Sequence, residues 1–235
     1  MQKRSFGTEG RGVLIGSSLM IMALLFMNIA TAFATDESEA QGIVDKARVT
    51  FSGFMKDKNY TWLNQNLKHA RGVLIYPQIL KAGFFLGGSG GTGVLLVKDK
   101  ASGTWSQPAF YTMGSVTFGF QAGGEAAEVV MLVMSQKAID SLYASSVKLG
   151  GDTSIALGPV GAGATGNVTA DFISFAKSKG LYAGLNLQGS AIAVRDKLNQ
   201  AYYNKPVSPI GIIVEKKVSN KGASGLRSVV AKAAK

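Results

Sequence analysis

Residues 83–97, GFFLGGSGGTGVLLV, determine which fold and which chemistry the sequence predicts. Two catalytic patterns overlap in this run. Residues 88–93 match the G-x-G-x-x-G of a dinucleotide-binding loop, and residues 87–91 match the G-x-S-x-G of a hydrolase nucleophile elbow. The two patterns require different structures, so the residues that follow the glycines must discriminate between them.

Both patterns require a helix directly after the glycines, and the sequence does not supply one. Val94 to Val97 is an aliphatic run that ends in Lys98-Asp99-Lys100, which is typical of a strand. The single histidine, His69, precedes Ser89, whereas a hydrolase of this type has its histidine after the serine. We therefore predict neither nucleotide binding nor hydrolysis here. We interpret residues 87–93 as a glycine-rich connection between strands, where a positive φ or a close backbone approach is required.

Short apolar runs separated by glycine continue beyond this stretch and predict a sheet. A helix with Ser135 as N-cap is expected up to about Tyr143, and another over residues 191–202. Because few helices separate the strands, we predict the α+β class with a mainly antiparallel, sandwich- or barrel-like sheet, an N-terminal amphipathic helix and one or two further helices. The expected strands are residues 73–76, 93–97, 109–112, 115–121, 128–134, 155–157, 172–176, 181–187 and 210–214.

Residues 35–70 have the pattern of helices. At 100° per residue the apolar side chains fall in a stripe about 120° wide, and Val49 is the one that lies outside it. This stripe predicts an amphipathic helix whose apolar face either packs on the sheet or contacts a membrane. Its members are Ile43, Val44, Ala47, Phe51, Phe54 and Met55.

The N-terminus has the features of an export signal. Residues 1–11 contain three basic side chains and one acid, residues 12–34 contain no charge, and Ala32-Phe33-Ala34 matches a cleavage site. We predict export to the periplasm or cell envelope with cleavage after Ala34. An uncleaved membrane anchor is the alternative. The chain has no cysteine, so disulfides and thiolate chemistry are excluded.

Basic residues dominate the charge of the chain. The formal net charge is +11, and because residues 1–34 contain three basic residues and one acid, the remainder has +9. Such an excess predicts attraction to anionic surfaces, which outside the cytoplasm are lipid head groups or glycans rather than nucleic acid. The alternative is that the basic charge is a general feature of exported proteins. Residues 219–235 contain no acid and predict a basic tail, poorly ordered or weakly helical, after a single domain over residues 35–218.

Catalytic and metal-binding groups are sparse in this sequence. One histidine and no cysteine leave only carboxylates as metal ligands, and the acids of the N-terminal run lack the spacing of a metal loop. Glu125, Glu128, Asp152 and Asp171 do not form a recognisable glycosidase pair. We therefore predict no metal site, no cofactor and no enzymatic activity, with an unrecognised catalytic site as the remaining possibility.

Seven motifs in order resemble the SYLF domain, and the resemblance covers residues 43–214. It implies a lipid-binding module with phosphoinositide affinity, an N-terminal amphipathic helix at the membrane and, in some eukaryotic members, actin binding. Glu128, Phe175 and Gln188 depart from the family pattern, and Gln188 replaces a carboxylate. The motifs are ARGVLIYP (70–77), KAGFFLGGSGGTGVLLV (81–97), WSQPAFY (105–111), SVTFGFQAG (115–123), VVMLVM (129–134), LGGDTSIALGPVG (149–161) and SKGLYAGLNLQG (178–189).

These observations predict an exported, non-enzymatic domain that binds an anionic membrane surface, without nucleic acid and with no protein partner identified. The alternative is a cell-envelope protein that binds a protein or polymer through the same basic surface. Basic side chains are expected to attract head groups, and apolar side chains of the helix to insert among them. The candidate lipid-binding residues are Lys46, Arg48, Phe51, Phe54, Met55, Lys56, Lys58, Lys81, Lys177 and Lys179.

Overall fold

The computed structural model describes residues 36–83, 86–118, 123–178 and 187–235. Its centre is an eight-stranded sheet in the order β5-β8-β3-β2-β1-β4-β7-β6, curled into a half-barrel. All neighbouring strands are antiparallel except β6 and β7, which are parallel. The predicted α+β class and mainly antiparallel sheet are confirmed. The strands are β1 (Gly72–Gly83), β2 (Leu86–Val97), β3 (Ala109–Phe118), β4 (Gly123–Val133), β5 (Ser146–Lys148), β6 (Ile155–Leu157), β7 (Phe172–Ser178) and β8 (Ala191–Val194).

Helices pack on the sheet in greater number than the sequence predicted. A helix over residues 36–56, here α1, confirms the predicted amphipathic helix, and the N-cap at Ser135 is also confirmed. Ser135 accepts a hydrogen bond from the backbone N–H of Ala138, as an N-cap residue does. Beyond α1, the described residues contain α2 (Thr61–Asn66), α3 (Gln136–Leu142), α4 (Asp196–Tyr203), α5 (Pro209–Ile213) and α6 (Ser224–Ala233).

The glycine-rich stretch belongs to a strand and does not connect two strands. β2 runs from Leu86 to Val97 and pairs with β1 on one side and β3 on the other. The register of β1 shifts between Ile75 and Leu80, and the β1 backbone there lies against β2. A Cβ added at Gly91 would lie 2.1 Å from the Gln78 carbonyl oxygen, and one at Gly93 would lie 2.3 Å from that of Ile75. Glycine is therefore required at both positions because the two backbones approach closely there. Neither Gly91 nor Gly93 has a positive φ.

Two expectations near the C-terminus are wrong. Residues 210–214 lie in α5 and just beyond it, because Ser208 caps that helix and Pro209 occupies its first turn. The helix expected over residues 191–202 is divided into β8 and α4 at Arg195. Of the two alternatives for residues 219–235, a poorly ordered or a weakly helical tail, the structure has a helix, α6, whose Leu226 and Val230 are buried. The expected strand at 181–187 and the export signal at 1–34 lie outside the described residues, apart from Leu187.

Both faces of the sheet are covered, and each has its own apolar core. On one face α1, α2, α4 and α6 cover alternate side chains of β1, β2, β4 and β7. On the other face α3 and α5 pack on the intervening side chains of the same strands, and Val147 of the edge strand β5 joins this core. Because successive residues of a strand point to opposite faces, the continuous apolar runs of β1 and β4 supply both cores.

Candidate functional site

The apolar stripe of α1 is part of the core. Phe51 and Phe54 are both 0% exposed, and Met55 is partly buried against the same cluster. The rings of Phe54 and Tyr60 are 4.5 Å apart between centroids. This is the alternative in which the helix packs on the sheet. In this arrangement neither phenylalanine has surface to present to a membrane.

A shallow groove lies between the exposed side of α1 and strands β1 and β4. Its volume is about 420 Å³, and its lining includes Lys46, Val49 and Ala126. Val49, the residue outside the apolar stripe, is 64% exposed. Leu80 is 55% exposed and pairs with Ala126 across the sheet. Because the preceding residue, Ile79, is buried in the opposite core, alternation places Leu80 on the α1 side. We call Val49, Leu80 and Lys46 the groove surface.

The floor of the groove is fixed by polar contacts. Thr50 is buried, and its hydroxyl donates to a carboxylate oxygen of Glu128 on β4 at 3.1 Å. Nearby, the Lys177 ammonium donates to Asp57 at 2.9 Å. This contact lowers the pKa of Asp57 and raises the pKa of Lys177, because each charge stabilises the other. Glu128 and Lys177 thus anchor the end of α1 to the sheet.

The predicted basic residues do not form one patch. Lys46, Lys56 and Lys58 are exposed along and just after α1. Arg48 is exposed and lines the groove with Lys46, but two acids, Asp45 and Glu128, line it as well. The Arg48 side chain also lies close to α6, since a Cβ added at Gly225 would lie 3.1 Å from Arg48 Cδ. Lys81 follows Leu80 and so faces the opposite side of the sheet, and Lys179 lies outside the described residues.

A larger cleft, which no sequence pattern predicted, lies where β2 ends and β1 begins. Its volume is about 680 Å³. The walls are the turn after β2, the start of β1, α3 and the segment around α5. Five cationic side chains line it together with one acid, Asp99, and we call it the basic cleft. The cations are Arg71, Lys98, Lys100, Lys216 and Arg227.

Hydrogen bonds hold the turn that forms one wall of the basic cleft. Asp99 accepts from the backbone N–H groups of Ala101 and Ser102, each at 2.9 Å, and from the Lys216 ammonium at 2.8 Å. These donors hold the pKa of Asp99 well below its usual range, with the Lys216 contact the largest cause. Arg227 of α6 donates twice to the Trp105 carbonyl oxygen, at 3.0 and 2.8 Å.

Of these five cations, the sequence pattern singled out only Lys98 and Lys100, as the residues that follow a predicted strand. Arg71, Lys216 and Arg227 lie far from this pair along the chain. The sheet topology and the packing of α5 and α6 bring them together. No local spacing encodes that arrangement.

Besides Glu128, two of the acids considered for catalysis accept hydrogen bonds from neighbouring residues. The Lys148 N–H donates to Asp152 at 2.9 Å. Asp171 accepts hydrogen bonds from the hydroxyls of Ser135 and Ser154 and from the Ser154 N–H, which lower its pKa. Within residues 36–83, 86–118, 123–178 and 187–235, no three His, Cys, Asp or Glu side chains are grouped to hold a metal ion. Among the helices of that same part of the chain, none has both the length and the apolar character to cross a bilayer.

Comparison with known proteins gives matches in sequence. A family profile described as Ysc84, Las17-binding protein actin regulator, matches residues 114–233. Protein YSC84 of Saccharomyces cerevisiae is 38% identical over 145 residues, which are 58% of this chain and 30% of the yeast protein. LAS seventeen-binding protein 3 from the same species is also 38% identical over 145 residues, 58% of this chain and 31% of its own length.

A mammalian relative shows the same pattern of partial coverage. SH3 domain-containing YSC84-like protein 1 of Mus musculus is 30% identical over 149 residues, 61% of this chain and 43% of its own. The chain therefore spans between about a third and less than half of these relatives. No solved structure matches. The family profile covers half of the chain, and two of these relatives carry YSC84 in their names, so this chain belongs to the Ysc84 (SYLF) domain family.

Proposed function

We propose that this chain is an exported, non-enzymatic domain that binds membrane surfaces rich in anionic lipids, with phosphoinositide-type head groups among its ligands. The observation that carries the proposal is the groove surface, where exposed Val49 lies with Lys46 in the groove and exposed Leu80 pairs with Ala126 of its lining. Aliphatic side chains beside lysines are what a peripheral membrane-binding surface needs. The apolar contact is thus assigned to Val49 and Leu80 rather than to Phe51 and Phe54.

Unneutralised positive charge supports the electrostatic part of the proposal. In the described part of the chain, three lysines form ion pairs within 4.0 Å, namely Lys177, Lys216 and Lys217. The exposed Lys46, Lys56 and Lys58 are not among them. Each lysine or arginine near an anionic surface contributes roughly 1 kcal/mol to attraction. A few such side chains are enough for reversible binding.

The comparisons support a binding role over catalysis. The family description names a regulator. One relative is named as a binding protein and another by its SH3 domain, and neither name is that of an enzyme. The resemblance to SYLF domains supports lipid as the ligand. Residues 1–34 support export, and for that reason actin, named in the family description, is not proposed as the partner of this chain.

A second candidate function is binding to a cell-envelope protein or anionic polymer. The burial of Phe51 and Phe54 favours it, because this function requires the basic surface without an apolar wedge. The two candidates differ in the role of Val49 and Leu80. These side chains contribute to lipid binding and are dispensable for binding a soluble polyanion.

Changing the groove surface tests the proposal. We expect Val49→Ser with Leu80→Ser to weaken binding to phosphatidylcholine vesicles that contain phosphatidylglycerol by about tenfold, because burial of aliphatic side chains contributes roughly 1.5 kcal/mol or more each when complete. Both residues are exposed, so melting curves should be unchanged. Vesicle cosedimentation measures the binding.

The matched control is Leu157→Ser with Ile210→Ser. These two exposed aliphatic residues lie on β6 and α5, outside the groove. The control variant should bind vesicles as the unmodified chain does. If both double variants bind vesicles equally well, the membrane contact lies outside the groove surface. If the unmodified chain binds a soluble polyanion but no vesicles, the polymer function is favoured.

A further inference from the structure

We propose that the basic cleft is a binding site for a phosphate-bearing anion. It lies by the start of β1, whereas Leu80 of the groove surface lies towards the other end of that strand. Where the phosphate belongs to a lipid head group, this inference rests on the membrane function proposed above. Where it belongs to a soluble phosphate ester, the inference stands independently of that function.

The charge of the basic cleft is unbalanced. Five cations line it, and the one acid, Asp99, is already satisfied by Lys216 at 2.8 Å and by two backbone N–H groups. Three of the cations, Arg71, Lys98 and Lys100, have no side-chain hydrogen bond or ion pair with any other residue that the structure describes. Positive charge that the protein does not neutralise, gathered in a concave site, favours an anionic ligand.

Arg71 and Lys98 are held side by side by their backbones. The Arg71 N–H donates to the Val133 carbonyl oxygen at 2.8 Å, and the Lys98 N–H donates to the Arg71 carbonyl oxygen at 2.7 Å. Arg71 is half-buried, and no hydrogen bond or ion pair joins its guanidinium to the residues that the structure describes. A guanidinium presents its donors in a planar fork that matches phosphate oxygens, and the neighbouring ammonium adds a second charge.

The shape of the basic cleft indicates a ligand larger than inorganic phosphate. Its volume of about 680 Å³ lies within the range of roughly 300–1,000 Å³ that small-molecule sites occupy. Apolar and aromatic side chains line it beside the cations, among them Ile212, Val214 and Tyr143. A phosphate ester with an organic group, such as a glycerol phosphate, can use both kinds of surface.

Arg227 has a positioning role rather than a binding one in this site. Both of its hydrogen bonds go to the Trp105 carbonyl oxygen and join α6 to the turn that forms the wall. The informative substitutions are therefore at Arg71 and Lys98, whose side chains can be changed without removing a hydrogen bond or ion pair between described residues.

Titration calorimetry of the full chain with inorganic pyrophosphate and with glycerol phosphate tests the site. We expect saturable binding that Arg71→Gln with Lys98→Gln weakens by about tenfold or more, since a charged hydrogen bond contributes roughly that factor. The matched control, Lys68→Gln with Lys205→Gln, removes two exposed charges that lie outside both the basic cleft and the groove, and it should bind these probes within about twofold of the unmodified chain.

A second variant keeps the test decisive if the first fails to fold. Lys100 is exposed, so Lys100→Gln should leave the melting curve unchanged and still weaken probe binding severalfold. Equal loss of binding in the cleft and control variants would overturn the site, as would the absence of saturable binding by the unmodified chain.

Vesicles of phosphatidylcholine with phosphatidylglycerol identify the source of the phosphate. If the cleft variant loses both the soluble probes and the vesicles, a lipid head group is the ligand. If it loses the probes and keeps the vesicles, the ligand is a soluble phosphate ester. Probe binding without vesicle binding in the unmodified chain would refute the proposed membrane function and leave the cleft assignment intact.

Discussion

At the scale of single residues, Gly91 and Gly93 determine how closely β1 and β2 can pack. The sequence indicated that glycines were needed in this run and offered two reasons, a positive φ or close backbone approach. The second reason is correct, but the run lies inside β2. Strand and connection could not be separated from sequence, because glycine has low strand propensity wherever it occurs.

Replacing Gly93 with alanine should destabilise the protein by roughly 1–3 kcal/mol, since the new Cβ would lie 2.3 Å from the Ile75 carbonyl oxygen and 2.6 Å from the Tyr76 ring. Urea denaturation measures this loss. Gly114→Ala is the control, because its Cβ would meet nothing nearer than the Ser89 carbonyl oxygen at 3.8 Å. Equal midpoints for the two variants would show that β1 and β2 are not packed this closely.

At the scale of secondary-structure elements, α1 shows both the strength and the limit of periodicity. The apolar stripe predicted the helix and the side of it that is buried. The same stripe is expected of a helix that packs on a sheet and of one that lies on a membrane, so it could not identify what covers it. The structure places the sheet there, and the side chain that broke the pattern, Val49, is the exposed one.

Short elements near the C-terminus were harder to predict for a related reason. Residues 210–214 form an apolar run that is equally consistent with a buried strand and a buried helix. The N-cap at Ser208 and the proline at the first helical position favour the helix. In α6, Leu226 and Val230 are four residues apart and share one face, which the excess of basic residues obscured.

Truncating the buried face of α1 should unfold the protein readily. Phe51→Ala and Phe54→Ala should each cost about 3–5 kcal/mol, through lost burial and the cavity left behind. Val49→Ala, on the exposed side, should change stability by less than about 0.5 kcal/mol. Denaturant titrations of the three variants measure these differences. If the phenylalanine variants were as stable as Val49→Ala, the packing of α1 on the sheet would be wrong.

At the scale of the whole molecule, the fold places the groove surface and the basic cleft towards opposite ends of β1. The groove surface lies beside α1, and the basic cleft lies where β1 begins. The net charge of the chain predicted attraction to anions, but it could not indicate where on the folded surface the basic side chains gather. Arg71, Lys98 and Arg227 come from separate parts of the sequence and meet only because β1, β2 and α6 meet.

Vesicle cosedimentation of the unmodified chain at low and high salt tests the central claim most directly. We expect the chain to bind phosphatidylcholine vesicles that contain phosphatidylglycerol and to bind vesicles of phosphatidylcholine alone only weakly. High salt should weaken the binding to anionic vesicles about tenfold or more, because it screens the lysines and arginines. Binding of equal strength to both kinds of vesicle, or no binding to either at low salt, would contradict the claim.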